Sequence, residues 1–262
     1  MKVLIFDTAQ QAAEAVADKL IKQVLSHPTC TLGLATGGTA NPVYEKLVRS
    51  YLAGDVSFKS VRTFNLDEYV ALPFAHPLSY HTYMAEHLFE PCDFQAENTH
   101  IPNGNAPDLA KEAERYEKAI TNCGGIDCQF LGIGENGHIG FNEPTSSLAS
   151  LTRVKTLAPS TVEANSRYFD SPADVPRLCI TMGIATILRA NEIALLAVGE
   201  RKSEAVRKMI EGPLAAMCPA SALQLHQHTE IYLDSDAASR LELLDYYKTI
   251  HPCGNTTAGN NT

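Results

Sequence analysis

No apolar run in this sequence reaches the roughly 18 residues that a membrane-spanning helix needs. The first segment, Met1 to Gln11, lacks the apolar stretch of a secretory signal and reads as a short strand followed by a polar helix start. A basic surplus is missing too. The chain has 21 Lys and Arg against 30 Asp and Glu, a formal net charge of −9, whereas a nucleic-acid-binding face wants the opposite balance. That charge makes long-range steering of an anionic substrate weak. It does not prevent a few local cations and amides from holding one phosphoryl group. The seven cysteines, Cys30, Cys92, Cys123, Cys128, Cys179, Cys218 and Cys253, are odd in number, scattered, and contain no Cys-x-x-Cys pair. Neither a disulfide framework nor a zinc site is expected, and reduced thiols in the cytoplasm are the plain reading. Asn255-Thr-Thr and Asn260-Asn-Thr fit the glycosylation pattern, but a cytosolic chain would not use it. No linker and no internal repeat is visible, so one domain over 1–250 is expected, followed by a polar tail, 251–262.

What is present is an alternation. Short apolar runs at Val3–Phe6, Cys30–Ala35, Val61–Asn65, Ile126–Ile133, Ile193–Val198 and Ile231–Leu233 read as strands. Helix-period segments stand between them. Thr8 with Gln11 makes a capping box for a helix to about Ser26, carrying Val16, Leu20 and Val24. A second carries Val43, Leu47 and Tyr51, and others run over Tyr80–Phe89, Leu109–Ile120, Glu200–Ile210 and Ser239–Ile250. Strands apolar on both faces and alternating with helices predict an α/β fold. It would be a mainly parallel sheet with helices on both faces, and its active site would lie at the carboxyl ends of the strands.

Three constellations sit at such strand ends. Thr36-Gly37-Gly38-Thr39 follows a strand and opens a helix, where backbone amides and the partial positive charge of the helix start suit a phosphate. An ordinary tight turn with a threonine cap is the alternative. The turn is neither a Walker loop nor Gly-x-Gly-x-x-Gly. Asp67 and Glu68 follow the third strand. As neighbours they point different ways, so one can face a cleft as a base for a carbon-bound proton if burial raises its pKa. For Glu68 taken alone, a solvated loop acid is the favoured reading. The third stretch runs from Leu131 to Pro144, its glycines leaving the backbone open around Asn136, His138, Asn142 and Glu143. A histidine there with an acid five residues on suits proton transfer between oxygens, the acid holding the imidazole tautomer. Lys202 opens the helix behind strand Ile193–Val198, where a lysine opposes the helix dipole unless an anion binds. A solvated surface lysine is the alternative, and the context of Arg167 decides nothing.

On these residues the chain resembles the glucosamine-6-phosphate deaminase family. The matching stretches are LATGGT (34–39), VSFKSVRTFNLDEYV (56–70), HPLSYHTYM (76–84), NGNAP (103–107), GIGENGHIGFNEPTSSLASLTRVKTL (132–157), ANSRYFD (164–170) and LQLH (223–226). They fall in order across residues 1 to 250. The resemblance implies a Rossmann-like α/β fold and conversion of glucosamine 6-phosphate and water to fructose 6-phosphate and ammonia, in amino-sugar catabolism, with no cofactor and no metal. It implies Asp67 as the base moving a proton from C2 to C1, His138 as the ring opener and Glu143 as the residue that orients it. Asn136 stands where some members carry aspartate, which leaves His138 without a second nearby carboxylate. The phosphate would be held by Thr36, Gly37, Gly38 and Thr39 with Arg167 and Lys202. Some members are hexamers activated by N-acetylglucosamine 6-phosphate, and the residues resembling that effector site are Ser146, Arg153, Lys155, Thr156 and Tyr246. Rival readings are a galactosamine-6-phosphate deaminase, a 6-phosphogluconolactonase, which needs no base for a carbon proton, and a non-catalytic sugar-phosphate sensor.

Overall fold

A computed structural model of the chain describes residues 1–158, 162–163, 169 and 175–252. The expected capping box opens the first helix. Thr8 Oγ accepts from the Gln11 amide at 3.2 Å and Gln11 Oε1 accepts from the Thr8 amide at 3.1 Å. Helix α1 (Ala9–Ser26) then buries Ala12, Ala13, Val16, Ala17, Leu20 and Val24 on one stripe. Each large aliphatic side chain so buried contributes roughly 1.5–3 kcal/mol.

Seven strands form one sheet in the order β1 (Lys2–Phe6), β10 (Thr229–Asp234), β9 (Glu192–Ala197), β6 (Cys128–Leu131), β2 (Thr31–Leu34), β3 (Arg62–Asn65) and β5 (Thr99–His100). Every pairing in it is parallel. From β2 the chain moves outward through β3 to β5. It then returns to β6 on the other side of β2 and moves the opposite way. The crevice between β2 and β6 is therefore the topological switch point, where ligands bind in open α/β sheets. The helices include α2 (Asn41–Leu52), α3 (Tyr80–Met84), α4 (Leu109–Asn122), α5 (Ile184–Leu188), α6 (Ser203–Ile210) and α7 (Leu244–Ile250).

The structure departs from the sequence expectations in five places, the first being the short unexpected edge strand β5 of the main sheet. A second, antiparallel sheet of β4 (Asp67–Tyr69), β8 (Leu178–Thr181) and β7 (Arg153–Thr156) stands beside the main one. The helix expected over Tyr80–Phe89 is α3 followed by a wider π-helical turn, Ala85–Phe89. The helix expected from Glu200 begins as a tight 3₁₀ turn, Glu200–Lys202, so Lys202 ends that turn instead of opening an α-helix. The last helix starts at Leu244 and not at Ser239. Glu211 caps its approach by accepting from the Glu242 and Leu243 amides at 2.8 and 2.9 Å, while turns occupy Asp236 to Leu241.

Among the described residues no helix is long and apolar enough to cross a membrane. Cys30, Cys92, Cys123, Cys128, Cys179 and Cys218 are free thiols.

Candidate active site

Four neighbouring strands of the main sheet, β9, β6, β2 and β3, deliver the predicted residues from their carboxyl ends. Behind β2 comes Thr36-Gly37-Gly38-Thr39. Gly37 takes φ 102°, a conformation other residues resist, and its carbonyl accepts from the Ala40 amide at 2.8 Å to close the turn. Helix α2 follows with no side-chain cap on its amino end. Its first amides thus face the turn with the dipole's positive end. A Cβ placed on Gly37 or Gly38 would meet nothing within 4 Å, so the space over the turn is open. Behind β9, Gly199 (φ 85°) donates to both carboxylate oxygens of Asp234 at 3.0 Å, which sets the turn that leads to Lys202. Arg167 lies outside the described residues.

The chain leaves β3 through Leu66 and enters β4 at once. Asp67 pairs with Thr181 in the antiparallel ladder, and its carboxyl is buried. Burial, and after it the negative charge of Glu68, pushes the Asp67 pKa up to about 8, against a weaker downward pull from a hydrogen bond with Thr181. Glu68 points the other way. The solvated-acid reading of Glu68 is wrong: the residue has no exposed surface and accepts four hydrogen bonds. Its Oε1 takes the amides of Tyr69 at 2.8 Å and Tyr80 at 3.1 Å. Its Oε2 takes the His81 amide at 3.1 Å and lies 2.8 Å from His81 Nδ1. The Tyr80 and His81 donors sit 12 and 13 residues further along the chain, beyond reach of local sequence reasoning.

Behind β6 the glycine-rich loop folds tightly. The Gly134 amide donates to the His138 carbonyl and the Gly137 amide to the Gly134 carbonyl, both at 2.9 Å. His138 Nδ1 lies 2.7 Å from Asn136 Oδ1, and Asn136 Nδ2 donates to Glu143 Oε2 at 2.7 Å. Glu143 Oε2 is also 3.5 Å from His138 Nδ1. A carboxylate only accepts, so the Asn136 amide must turn its NH₂ to Glu143 and its oxygen to the imidazole. That oxygen requires the proton on Nδ1 and leaves Nε2 as the basic nitrogen. The orienting acid therefore reaches the histidine through Asn136 more closely than directly. Gly134 has no space for a side chain, since its Cβ would fall 2.2 Å from the His138 ring. Asn142 is a brace: it is fully buried, and its Nδ2 donates to the carbonyls of Ile139 and Met182, both at 2.8 Å.

The loop and the acid meet at Gly140. A Cβ there would lie 3.4 Å from Asp67 Oδ2 and 3.0 Å from Thr181 Oγ1. One residue, Ile139, thus separates His138 from the glycine whose open side faces the Asp67 carboxylate. Tyr80, which the motif HPLSYHTYM contains but local reasoning did not single out, joins the parts. Its half-buried phenol hydrogen-bonds with Thr36 and Tyr69. The residues resembling an effector site are divided. Arg153, Lys155 and Thr156 lie on β7, which packs against α4, and Ser146 lies in the loop before β7. Tyr246 stands exposed on α7, which packs against β1.

Comparison with known proteins decides the family. A family model described as glucosamine-6-phosphate isomerases/6-phosphogluconolactonase matches residues 6–233. The chain belongs to this family. Among curated relatives, the glucosamine-6-phosphate deaminase of Hahella chejuensis is 50% identical over 250 residues, covering 95% of each chain. Among solved structures, a monomeric glucosamine-6-phosphate deaminase superposes with a TM-score of 0.90 at 45% identity, over 91% of this chain and 99% of that one. The 6-phosphogluconolactonase of Trypanosoma cruzi superposes at 0.75 with 18% identity, over 92% of this chain and 97% of that one, and shares the fold alone. The glucosamine-6-phosphate isomerase/6-phosphogluconolactonase family thus accounts for the main sheet and for the strand ends on which the site is built.

Proposed function

We propose that this protein is a glucosamine-6-phosphate deaminase, converting glucosamine 6-phosphate and water to fructose 6-phosphate and ammonia. The observation that carries the reading is the meeting at Gly140 of a buried carboxylate with a tautomer-fixed imidazole loop. Relatives about 50% identical bear that activity in their names, while the lactonase likeness is one of fold.

The reaction needs two proton devices and an anchor. In the anchor, the 36–39 turn, the start of α2 and Lys202 hold the phosphoryl group, with Arg167 as the further cation. His138 Nε2 takes the proton of the anomeric hydroxyl and returns it to the ring oxygen, opening the pyranose. Asp67, as carboxylate, removes the C2 proton while the C1 oxygen gains one, giving an enolamine. The same proton returned to C1 leaves an imine at C2. Water adds to that imine and ammonia leaves, which yields the ketose. General acid–base help supplies about 10²–10⁴-fold per step. The anchored phosphate supplies orientation at the far end of the sugar. A base with a pKa near 8 is well matched to an acidified carbon proton near neutral pH.

Activation by N-acetylglucosamine 6-phosphate extends the reading. It is supported by Ser146, whose buried Oγ has no hydrogen-bond partner among the described residues and sits ahead of the Arg153, Lys155 and Thr156 strand. Because Tyr246 is on a different part of the chain, this extension needs an assembly, such as a hexamer, in which a second copy unites the two regions. A saturation curve that stays hyperbolic and unmoved by the effector removes it.

The test is release of ammonia from glucosamine 6-phosphate and from galactosamine 6-phosphate, with fructose 6-phosphate measured for the first and lactone hydrolysis measured in parallel. Ammonia from the galacto epimer alone, or lactone hydrolysis alone, overturns the assignment.

A further inference from the structure

The Tyr80 side chain touches all three working segments. Its hydroxyl meets Thr36 of the anion turn and Tyr69 of the base strand. Its ring stacks on Phe141 of the histidine loop, with centroids 6.1 Å apart and planes within 14°. Tyr69 packs on the same two rings, at 5.1 Å from Tyr80 and 5.7 Å from Phe141. Tyr80 is the first residue of α3, where the helix's own hydrogen bonds leave the backbone amide without an intrahelical partner. The buried Glu68 carboxylate holds it: it binds the amides of Tyr80 and His81 and faces the His81 imidazole, while the His81 ring packs on Phe74 with centroids 4.4 Å apart.

Resting on the reading of Asp67 as base, we propose that Tyr80 is a positioning residue that couples phosphate capture to proton abstraction, and that Glu68 is the clamp that keeps it in register. The logic is mechanical. A phosphate that pulls on Thr36 pulls on the Tyr80 phenol, and through it on Tyr69 and Phe141. These two residues flank Asp67 and the His138 loop. A burial this costly, two adjacent carboxylates with almost no exposure, is explained if the second one has work that a neutral side chain would not do. Besides Glu68, the titratable groups around Asp67 are Tyr69 on β4, Tyr80 on α3, Tyr116 on α4 and Cys179 on β8. Thr181 adjoins it from β8, and Gly140 faces it from the loop with no side chain between.

The experiment compares wild type with Tyr80→Phe, Glu68→Gln and Asp67→Asn. It reads steady-state kinetics from pH 5 to 10 and calorimetric affinity for a non-reacting hexitol 6-phosphate. Tyr80→Phe keeps the ring stacking and loses the hydroxyl. It should weaken hexitol phosphate binding and lower kcat, each by roughly tenfold. Glu68→Gln keeps the size and loses the charge. It should lower kcat by a similar factor and move the acid limb of the kcat/KM profile to lower pH, because Asp67 loses a negative neighbour. A Tyr80→Phe enzyme with wild-type affinity and kcat overturns the coupling. A Glu68→Gln enzyme that is slower with an unmoved acid limb overturns the clamp as anything beyond scaffolding. If Glu68→Gln does not fold, Tyr80→Phe decides alone. An active Asp67→Asn enzyme overturns the base assignment itself, which separates that failure from this one.

Discussion

Asp67 is held in a place that favours its protonated form, and the reaction needs the other form. Its pKa lies near 8 because burial disfavours the charge and Glu68 repels it. The folded state thus binds a proton that the unfolded chain, with an ordinary carboxyl, releases at about pH 4. Folding stability is therefore intact below that pH and declines as pH rises towards 8. Asp67→Asn should show near-wild-type stability at pH 5 and exceed wild type at pH 9 by roughly 2 kcal/mol or more, as read from urea midpoints. Isomerisation by the same variant should fall by at least about 10³-fold, while affinity for a hexitol 6-phosphate stays within about threefold, since the anchor is elsewhere. Equal pH dependence of stability in both proteins would refute the account of Asp67. At the neighbouring histidine, Asn136→Ala removes the acceptor that fixes the Nδ1 proton. A fall in kcat of roughly 10–100-fold, with KM little changed, is expected from steady-state assays.

On the scale of elements, the loop after β6 shows how glycine serves chemistry. Gly134 is required by a close approach and not by its dihedral: any Cβ there collides with the His138 ring. Gly134→Ala should cost at least about 10²-fold in kcat by displacing the imidazole, while circular dichroism reports a folded protein. Gly37→Ala differs. Its Cβ would have open space, but φ 102° strains any side chain, so the expected cost is roughly 1–2 kcal/mol of stability together with weaker phosphate binding. Thermal melts with and without inorganic phosphate separate the two effects. Regular elements were legible wherever their signal was local. The Thr8 and Gln11 pair, the stripe of Val16, Leu20 and Val24, and the six apolar runs of the main sheet all appear where the pattern places them. Strands β7 and β8 left no such trace. Each has four residues, and Arg153–Thr156 is partly exposed and polar enough to read as loop.

For the whole molecule, the decisive feature is that β9, β6, β2 and β3 stand side by side. Lys202, His138, Thr36 and Asp67 are spread over more than 160 positions in the chain, yet their strands end on one edge. Lys202→Ala should therefore weaken any 6-phosphate ligand by roughly tenfold or more while leaving proton chemistry on the bound sugar largely intact, a KM effect more than a kcat effect. Unchanged affinity in a direct titration would remove Lys202 from the anchor. The acidic net charge does not oppose this proposal, because a few amides and one local cation suffice to hold a single anion whatever the mean field.

The sequence by itself determined the alternation of strand and helix, the position of each active-site motif at a strand end, and the residue types available for acid–base work. These depend on period, capping and backbone freedom, which act over a few residues. The tertiary structure decided which strands became neighbours and that Glu68 is buried against α3. It also decided that Asn136 stands between Glu143 and His138 and that Gly140 brings the loop against Asp67. Those outcomes depend on packing and desolvation between segments distant along the chain, which local sequence patterns do not reveal.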